Sequence, residues 1–321
     1  MTVTFLDAST LAPADLDLSG LEAFGELSLH ETTSPEEIAA RCAGAEVIIT
    51  NKVELDAGLI ASCPQLKLIL VAATGVNIVD LEAARAQGIL VCNVAGYSTS
   101  SVAQHVMALL LALATNVHRY AAEAPAWADS PIFTRLDHPV VELAEKSFGI
   151  IGLGEIGSAT ARLAEALGME VHVYGREGSS NTTRPELPRL PHDEFFARSD
   201  VISLHAPLTD RNRHIINRDS LSLMKPTALL LNASRGPLVD EEALAEALLD
   251  GRLAGAGLDV LSTEPPPAGH PLLRHPHLGT TLLITPHTAW ISRESRQRLV
   301  DGLVANLDAF ANGAPANVVN P

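Results

Sequence analysis

Residues 148–157 read Phe-Gly-Ile-Ile-Gly-Leu-Gly-Glu-Ile-Gly, a short apolar run that leads directly into three glycines spaced as GxGxxG. The apolar run predicts a buried strand, and the segment after the glycines predicts a helix. A strand, a tight glycine turn and a helix form the first half of a βαβ unit. This stretch therefore predicts an α/β domain with a parallel sheet.

The same alternation of short apolar runs and amphipathic stretches extends along the chain in two groups. The predicted strands are Thr2–Leu6, Val47–Thr50, Leu66–Ala72 and Ile89–Val94 in the first group, and residues 148–151, Val171–Tyr174, Val201–His205, Ala228–Asn232, Gly255–Val260 and Leu282–Thr285 in the second. Their lack of strict polar alternation is typical of strands buried on both faces. We therefore predict an α/β fold with two doubly wound parallel sheets.

Three helical segments and one interruption stand out between these strands. Ser34 is a candidate N-cap, followed by Pro35 and by Glu37, which would complete a capping box. Residues Ser98–Tyr120 predict one long helix packed on several sides, and Ser292–Ala311 predict a final helix. Residues 121–145 carry three prolines and two aromatic side chains, which predicts a loop or an arm that packs on a second subunit.

The composition argues against several classes of protein. The 321 residues carry a formal net charge of −16, which disfavours binding to nucleic acid or to anionic membranes. The longest apolar run, Val106–Ala114, is far shorter than the roughly 20 residues that span a bilayer, and the N-terminus lacks the pattern of a secretory signal. Three widely spaced cysteines predict neither a disulfide framework nor a metal site. We expect a cytoplasmic protein.

The glycines of the opening stretch predict a site for a dinucleotide cofactor. Gly152 would allow the tight turn, Gly154 would let the backbone approach a pyrophosphate, and Gly157 would let the helix pack on the strand. The helix N-terminus then offers free N–H groups and a partial positive charge to the phosphates. The pattern alone leaves one alternative open, a tight turn that binds no ligand.

The end of the next strand bears on which dinucleotide binds. Gly175 stands where an acidic residue would bind the ribose 2′-hydroxyl of NAD, and Arg176 is placed to pair with a 2′-phosphate. Further candidate contacts are Ser179, Ser180 and Arg184, whereas Glu177 would weaken the effect. We predict that NADP(H) is preferred and that NAD(H) can also bind. The alternative is that Arg176 is an ordinary solvated arginine.

Three reactive side chains follow strands of the second group. Arg235, Glu264 and His287 come after the last three predicted strands of the chain. Ligands of open α/β sheets bind outside the carboxyl ends of the strands, so these side chains are candidates for a catalytic site. Taken singly, Arg235 and Glu264 could be surface charges and His287 a core histidine. Their common position at strand ends favours catalysis.

Short motifs recur along the chain beside these residues. They are Gly149–Gly157, Leu204–Leu208, Asn232–Gly236, Val239–Glu241, Gly255–Val260, Glu264–Pro265 and Pro286–Trp290, together with Thr74–Val76, Asp80–Leu81, Gly88–Ile89 and Asn93. Taken together, these motifs span nearly the whole chain, which resembles the D-isomer-specific 2-hydroxyacid dehydrogenase family. Residues His287–Trp290 and Val102–His105 are most similar to its glycerate dehydrogenase/hydroxypyruvate reductase branch.

The resemblance implies a role for each of the three catalytic candidates. His287 would protonate the carbonyl oxygen of a 2-keto acid as hydride arrives from the nicotinamide, at a gain of about 10²–10⁴-fold in rate. Glu264 would hydrogen-bond His287 and keep it charged, because a neighbouring carboxylate favours the protonated form of a histidine. Arg235 would bind the carboxylate and carbonyl oxygens, for which a planar, always charged guanidinium is suited.

The resemblance also implies binding residues. Gly152, Gly154 and Gly157 of the glycine loop are predicted cofactor residues on the pattern above, and so are Gly175, Arg176 and Ser179, although Gly175-Arg176 replaces the acid that is commoner in the family. The remaining predicted cofactor residues are Thr74, Glu155, Ile156, Ala206, Pro207, Ala233, Ser234, Arg235, Asp259 and His287. The substrate residues would be Lys52, Gly75, Val76, Arg235 and His287, with Gly75 and Val76 acting through their backbone.

The family pattern further predicts two Rossmann-like domains with a cleft between them that closes around the ligands. The substrate-binding domain, flavodoxin-like and discontinuous, would comprise residues 1–97 and 292–321, and the NAD(P)-binding domain would comprise residues 98–291. Residues 98–145 would contain the dimerisation helix and arm of a homodimer. Trp127 would either reach the partner subunit's pocket or only pack at the interface.

The leading prediction is an NAD(P)-dependent D-2-hydroxyacid dehydrogenase that reduces small 2-keto acids, hydroxypyruvate or glyoxylate, with NADPH preferred. The alternatives are a non-catalytic, dinucleotide-sensing protein like the corepressors that share this fold, and a dehydrogenase for another 2-hydroxy acid such as 3-phosphoglycerate or D-lactate. Glu264 argues against formate dehydrogenase chemistry, in which glutamine pairs with the histidine. Departures from the family pattern at Ala95, Gln104 and Glu145 leave the exact substrate open.

Overall fold

The computed structural model describes residues 1–175 and 183–321. Their strands are β1 (Thr2–Phe5), β2 (Glu26–Leu29), β3 (Val47–Thr50), β4 (Leu68–Val71), β5 (Leu90–Asn93), β6 (Ser147–Ile151), β7 (Glu170–Tyr174), β8 (Arg189–Leu190), β9 (Val201–Leu204), β10 (Leu229–Asn232), β11 (Gly255–Leu258) and β12 (Leu282–Ile284). Their α-helices are α1 (Ser19–Glu22), α2 (Ile38–Cys42), α3 (Ala57–Ala61), α4 (Leu81–Ala86), α5 (Thr99–Thr115), α6 (Val117–Ala122), α7 (Glu155–Ala166), α8 (His192–Arg198), α9 (Arg218–Leu223), α10 (Glu241–Leu249) and α11 (Arg293–Ala311). The chain divides into unit 1 (Met1–Ser98 and Trp290–Pro321) and unit 2 (Thr99–Ala289).

Unit 1 contains a parallel sheet of five strands in the order β2-β1-β3-β4-β5. Strands β3 and β4 are buried along their whole length, because helices cover both faces of the sheet. Leu21 of α1 and Leu299 of α11 pack on one face, and Ile60 of α3 and Ala84 of α4 pack on the other. The strand order reverses between β1 and β3, and the carboxyl ends at such a reversal are where ligands of doubly wound sheets bind.

Unit 2 contains a parallel sheet of seven strands in the order β12-β11-β10-β9-β6-β7-β8. Phe195 of α8, Leu221 of α9 and Leu244 of α10 belong to one buried cluster with the strands. Helices α5 and α7 pack against each other and against β10, β11, β6 and β7. The prediction of two doubly wound parallel sheets is confirmed.

Helix α5 lies directly on strand β11, whose glycines leave room for it. A Cβ built at Gly257 would lie only 3.0 Å from Leu109 Cβ. The helix ends before Asn116, because this residue adopts a left-handed backbone with φ of 51°, and α6 begins after it. The prediction of one continuous helix over Ser98–Tyr120 is wrong at this point.

Two further local expectations differ from the structure. The predicted strands do not include β2 and β8, which lie at the outer edges of their sheets. The helix expected to start at Ser34 begins at Ile38, because Glu37 N donates to Ser34 O and closes a turn before it. Glu37 still accepts the N–H of Ser34 across 3.0 Å, which is half of the predicted capping box. None of the helices within the described ranges is long and apolar enough to cross a membrane.

Residues 121–145, which we call the arm, expose an unusual number of apolar side chains. Phe133 is 90% exposed, Leu136 is 81% exposed and Trp127 is 58% exposed. The indole Nε1 of Trp127 donates to the carbonyl oxygen of Phe133 across 3.1 Å, so the exposed rings belong to one folded loop. An exposed apolar patch of this kind is typical of a protein–protein interface.

Candidate active site

The glycine loop between β6 and α7 accepts only glycine at two of its positions. Gly152 has a φ of 98°, and a Cβ there would lie 2.4 Å from Ala206 N. A Cβ at Gly157 would lie 2.2 Å from Gly152 O. At Gly154, in contrast, no described heavy atom beyond its own helix and chain neighbours lies within 4 Å of such a Cβ. The loop is therefore tightly packed on one side and open beside Gly154.

The open side of the loop coincides with the start of a helix. Helix α7 begins at Glu155 with Gly154 as its N-cap, and no side chain of the described residues caps this end. The first N–H groups of the helix are then left for another acceptor. These groups and the partial positive charge of the helix N-terminus suit phosphate oxygens. The loop therefore fits the pyrophosphate of a dinucleotide.

Two neighbouring strand ends border this loop. Ser234, after β10, donates from Oγ to the carbonyl oxygen of Ala206, after β9, across 2.6 Å. The backbone of Ala206 is also what excludes a side chain at Gly152. The predicted cofactor residues Ala206, Pro207, Ala233 and Ser234 thus lie at the carboxyl ends of β9 and β10, on the same side as the glycine loop.

The end of β7 is packed against β8. Gly175 N donates to Leu190 O across 2.8 Å, and a Cβ at Gly175 would lie 3.0 Å from the same oxygen. Close packing therefore favours glycine at position 175, in addition to any effect on a cofactor. The candidate residues that follow, Arg176, Glu177, Ser179 and Ser180, lie outside the described residues.

Arg184, a further candidate for contact with a 2′-phosphate, is engaged by two carboxylates. Its Nη1 and Nη2 donate to Glu165 across 3.0 and 2.8 Å, and its Nε donates to Glu186 across 2.7 Å. The hydrogen bond to Glu165, and to a smaller extent that to Glu186, raises the pKa of Arg184 above its usual range. The charge of this guanidinium is therefore balanced within unit 2.

His287 and Glu264 form a short hydrogen-bonded pair. The imidazole Nδ1 lies 2.7 Å from Glu264 Oε2, and each side chain is about one third exposed. The other carboxylate oxygen of Glu264 accepts the N–H of Leu261 across 2.9 Å. His287 has a left-handed backbone with φ of 54°, a conformation that non-glycine residues adopt mainly where surrounding contacts impose it. Since a carboxylate can only accept, Nδ1 donates, and Nε2 is the nitrogen left for proton exchange with a ligand.

Arg235 extends from the turn after β10. Asn232, which is 1% exposed, shapes this turn by donating to Arg235 O across 2.9 Å and accepting from Ser234 N across 3.0 Å. The next residue, Gly236, lies so close to Leu261 that a Cβ there would be 2.0 Å from the Leu261 carbonyl carbon. The loop of Arg235 therefore packs against the loop of Glu264. Arg235, Glu264 and His287 follow the neighbouring strands β10, β11 and β12, so all three lie beyond the carboxyl ends of adjacent strands.

Asp259, a predicted cofactor residue, is buried behind His287. Its Oδ1 accepts from Thr285 Oγ1 across 2.5 Å and from Thr288 N across 2.9 Å, and its Oδ2 accepts from Ala289 N across 2.9 Å. Burial by itself would raise the pKa of Asp259, but the hydrogen bonds from His105, Thr285 and these two amides outweigh it and hold the pKa below its usual range. Asp259 is thus an ionised anchor for the segment around His287.

The predicted residues of unit 1 lie at the carboxyl edge of its own sheet. Lys52 follows β3, and its backbone N–H donates to Asp7 Oδ2 across 2.6 Å. Thr74, Gly75 and Val76 follow β4, and Thr74 O accepts from Asn93 Nδ2 across 2.7 Å. The backbone at the edge of this sheet is therefore held by side chains of the same unit.

Sequence reasoning missed the side chains that hold these loops. Asn232 and His105 are inside quoted motifs, but nothing in a motif indicates which partner a side chain binds. Glu241 accepts the N–H of Ser262 across 2.7 Å and lies 3.1 Å from His270 Nε2, close to the loop of Glu264. Asn232 ends β10, His105 lies within α5 and Glu241 begins α10, so no common sequence signal marks these three side chains.

The chain has clear similarity to known proteins. Residues 107–289, more than half of the chain, match the model of the D-isomer specific 2-hydroxyacid dehydrogenase, NAD binding domain. The chain belongs to this family. It is 40% identical to a hydroxypyruvate reductase of Blautia hydrogenotrophica over 100% of both chains. It is also 40% identical to a glycerate dehydrogenase of Methylorubrum extorquens, over 99% of this chain and 98% of that one.

Solved structures share the fold of this chain. An acyclic imino acid reductase in complex with NADPH and D-arginine matches with a TM-score of 0.86 and 27% identity, over 99% of this chain and 100% of that chain. As a D-2-hydroxyacid dehydrogenase family member, the chain is an oxidoreductase that acts on CH–OH donors and contains a domain of the NAD-binding type. The resemblance drawn from the sequence motifs is confirmed at the level of the family.

Proposed function

We propose that this 2-hydroxyacid dehydrogenase reduces small 2-keto acids, hydroxypyruvate and glyoxylate first among them, and that it prefers NADPH. The observation that carries the proposal is the 2.7 Å pair of His287 and Glu264, beside the loop of Arg235 at the carboxyl edge of the second sheet. The names of the two relatives at 40% identity support the choice of substrate.

The proposed mechanism assigns one task to each of the three side chains. A bound reduced nicotinamide supplies the hydride. Arg235 binds the substrate carboxylate and carbonyl oxygen, which orients the carbonyl and draws electron density from its carbon. His287 donates its Nε2 proton to the carbonyl oxygen as that carbon is reduced, so that a hydroxyl group forms. Glu264 accepts the Nδ1–H throughout, which fixes the ring and stabilises its positive charge before the proton leaves.

The proposed cofactor site is centred on the glycine loop. Gly152, Gly154 and Gly157 shape the loop, and the N–H groups at Glu155 and Ile156 suit the pyrophosphate. The NADPH preference rests on Gly175, where no carboxylate repels a 2′-phosphate, and on Arg176 beside it.

The proposed substrate residues of unit 1 rest on the sequence motifs. Lys52 would influence the length of substrate that is accepted, and the backbone N–H groups of Gly75 and Val76 would bind the carboxylate. Unit 1 is accordingly proposed as the substrate-binding domain and unit 2 as the NAD(P)-binding domain.

We further propose that the protein is a homodimer joined through the arm. The support is the exposure of Phe133, Leu136 and Trp127, which would be unfavourable in an isolated chain but is expected where a second copy covers them. The arm contains a 3₁₀ helix over Ala124–Asp129 that carries Trp127, so part of its exposed apolar surface has a defined backbone.

The decisive experiment is a matrix of initial rates. Hydroxypyruvate, glyoxylate and pyruvate are each assayed with NADPH and with NADH. The expected result is the highest kcat/KM for hydroxypyruvate or glyoxylate with NADPH. Fastest turnover of pyruvate would assign the chain to a D-lactate dehydrogenase activity. No turnover in any of these assays, together with tight NADPH binding, would favour a dinucleotide sensor and overturn the proposal.

A further inference from the structure

His105, on α5, has no task in the mechanism above, yet its ring meets the segment that carries His287. Its Nε2 lies 2.9 Å from Thr285 Oγ1 and 3.3 Å from Asp259 Oδ1. The His105 side chain is 22% exposed and that of Asp259 only 1%. Polar contacts in such a water-poor environment are stronger and more dependent on geometry than contacts at the surface.

The partners of His105 determine the direction of its hydrogen bond. The hydroxyl of Thr285 donates its single hydrogen to Asp259 Oδ1, so the Thr285 oxygen is left as an acceptor. An ionised Asp259 carboxylate can likewise only accept. His105 Nε2 therefore carries a hydrogen and donates it to this pair of oxygens.

Asp259, which His105 holds in place, is hydrogen-bonded to the backbone of residues 287–289. Its carboxylate binds the N–H groups of Thr288 and Ala289, and its backbone oxygen accepts the N–H of His287 across 2.8 Å. His287 itself has the left-handed backbone noted above. Histidine adopts that conformation more readily than most non-glycine residues. Here Asp259 O and Thr285 O accept the His287 N–H across 2.8 and 3.0 Å, and the Asp259 carboxylate holds the two residues that follow.

We propose that His105 is a positioning residue for His287, because its Nε2–H fixes Asp259 and Thr285, which together hold the backbone of residues 287–289. His105 acts through these two side chains and exchanges no proton with substrate. The inference rests on the proposed function, which makes His287 the acid. A displacement of about 1 Å in a group at the chemistry can lower the rate by about 100-fold, so a remote histidine of this kind affects turnover more than binding.

Two variants of His105 separate its hydrogen bond from its bulk. His105→Leu keeps a side chain of similar size and removes the donor, whereas His105→Gln places an amide N–H close to the position of Nε2. His118→Leu is the matched control, because His118 also approaches a segment next to β12, with its Nε2 3.2 Å from Thr280 O. Thr280, which His118 contacts, precedes β12, whereas Thr285, which His105 contacts, follows β12.

The first measurement is steady-state reduction of the best 2-keto acid by each variant. For His105→Leu we expect kcat to fall by about 10- to 100-fold and KM to change by less than about threefold. His105→Gln should recover kcat to within about threefold of the wild type, and His118→Leu should retain it. A kcat for His105→Leu within about twofold of the wild type overturns the proposal. So does an equal loss in His118→Leu, or a failure of glutamine to recover any activity.

The second measurement is hydrogen exchange of the backbone amides of His287, Thr288 and Ala289, which does not depend on turnover. These amides should exchange at least about tenfold faster in His105→Leu than in the wild type and in His118→Leu. Unchanged exchange overturns the positioning role even if the wild type reduces 2-keto acids. Faster exchange in a protein whose wild type reduces none of them supports the positioning of this segment and overturns the proposed function alone.

Discussion

His287 and Glu264 are joined by a hydrogen bond of 2.7 Å between Nδ1 and Oε2, although the two residues stand 23 positions apart on separate loops. The bond determines the ring orientation of His287 and leaves Nε2 as the nitrogen for proton transfer. Because the loop of Arg235 packs directly against the loop of Glu264, one small region of unit 2 contains both the proposed acid and the proposed anion-binding group.

Variants of Glu264 should separate its charge from its hydrogen bond. Glu264→Gln retains an acceptor for the Nδ1–H but lacks the negative charge, whereas Glu264→Ala lacks both. We expect the alanine variant to lose roughly 10- to 100-fold more kcat/KM than the glutamine variant, because a hydrogen bond to a charged group contributes about 1.5–3 kcal/mol. Steady-state kinetics of the two variants measure this difference, and equal losses would exclude a separate contribution of the hydrogen bond.

Asparagine is the most informative replacement for His287. It tolerates the left-handed backbone at this position better than most residues, and its side-chain amide can still approach Glu264, but it has no counterpart of Nε2. We expect His287→Asn to lower kcat by about 10²–10⁴-fold while the Kd for NADPH, measured by fluorescence titration, stays within about twofold of the wild type. Near-normal turnover would contradict the assignment of His287 as the acid.

The two arginines near the end of β7 should differ in their effect on the cofactor. Arg176→Ala should raise the KM for NADPH and leave that for NADH almost unchanged, because only NADPH carries a 2′-phosphate. Arg184→Ala is the matched control: its guanidinium is already paired with Glu165 and Glu186, so the ratio of the two KM values should stay constant. Equal weakening of both cofactors by Arg176→Ala would show that Arg176 does not bind the 2′-phosphate.

Buried His172 should make unit 2 sensitive to mild acid. Burial, followed by the positive charges of Arg198 and Lys225, lowers the pKa of His172 to about 4. The unfolded chain, in which histidine has a pKa of about 6.5, therefore binds this proton first as the pH falls. Stability that depends on neutral His172 is complete above about pH 6.5 and is lost toward pH 4, by up to about 3 kcal/mol.

Urea unfolding between pH 7 and pH 4.5 measures this loss. His172→Gln retains a donor for Ser199 Oγ, which lies 2.8 Å from His172 Nε2, but has no titratable ring. The variant should lose less free energy of unfolding over this range than the wild type, whereas a variant of the exposed His192, His192→Gln, should behave like the wild type. An identical pH dependence in His172→Gln and the wild type would rule out the effect.

Charge in the arm should separate the proposed dimer. Leu136→Asp places a carboxylate on the exposed apolar patch, and we expect monomers in sedimentation velocity because a buried unpaired charge opposes association. Leu249→Asp is the control, since Leu249 is also an exposed leucine, at 62%, but belongs to α10. A dimer that survives Leu136→Asp, or a wild type that sediments as a monomer, would refute the arm interface.

The parts of the fold that could be predicted are those with strong local signals. Strands β3 and β10 are largely apolar runs, and their bounds differ from the prediction by at most one residue, whereas β4 begins two residues later than predicted. Strand β2, Glu-Leu-Ser-Leu, is an edge strand with only partial burial, and its mixed polarity gives no comparable signal. The break at Asn116 depends on a single left-handed residue inside a helix-favouring sequence.

In the candidate site, too, only features with a local sequence signal could be predicted. The spacing of Arg235, Glu264 and His287 after successive strands could be recognised, because chain order and sheet order agree at β10, β11 and β12. The contact of His105 with Thr285 joins residues 180 positions apart and follows only from the packing of α5 on the sheet. Sequence motifs indicated the candidate catalytic residues, and the folded chain was needed to find the side chains that hold them.

Strand β12, which leads to His287, is the outermost strand of the seven-stranded sheet and pairs with β11. An edge strand held on one side separates from a sheet at a lower cost than a central strand does. Detachment of this strand alone would remove the acid from the sheet while Arg235 and the glycine loop, on more central strands, stayed in place. The proposed binding of a dinucleotide and the proposed donation of a proton therefore depend on different parts of the sheet, the first on its central strands and the second on its edge.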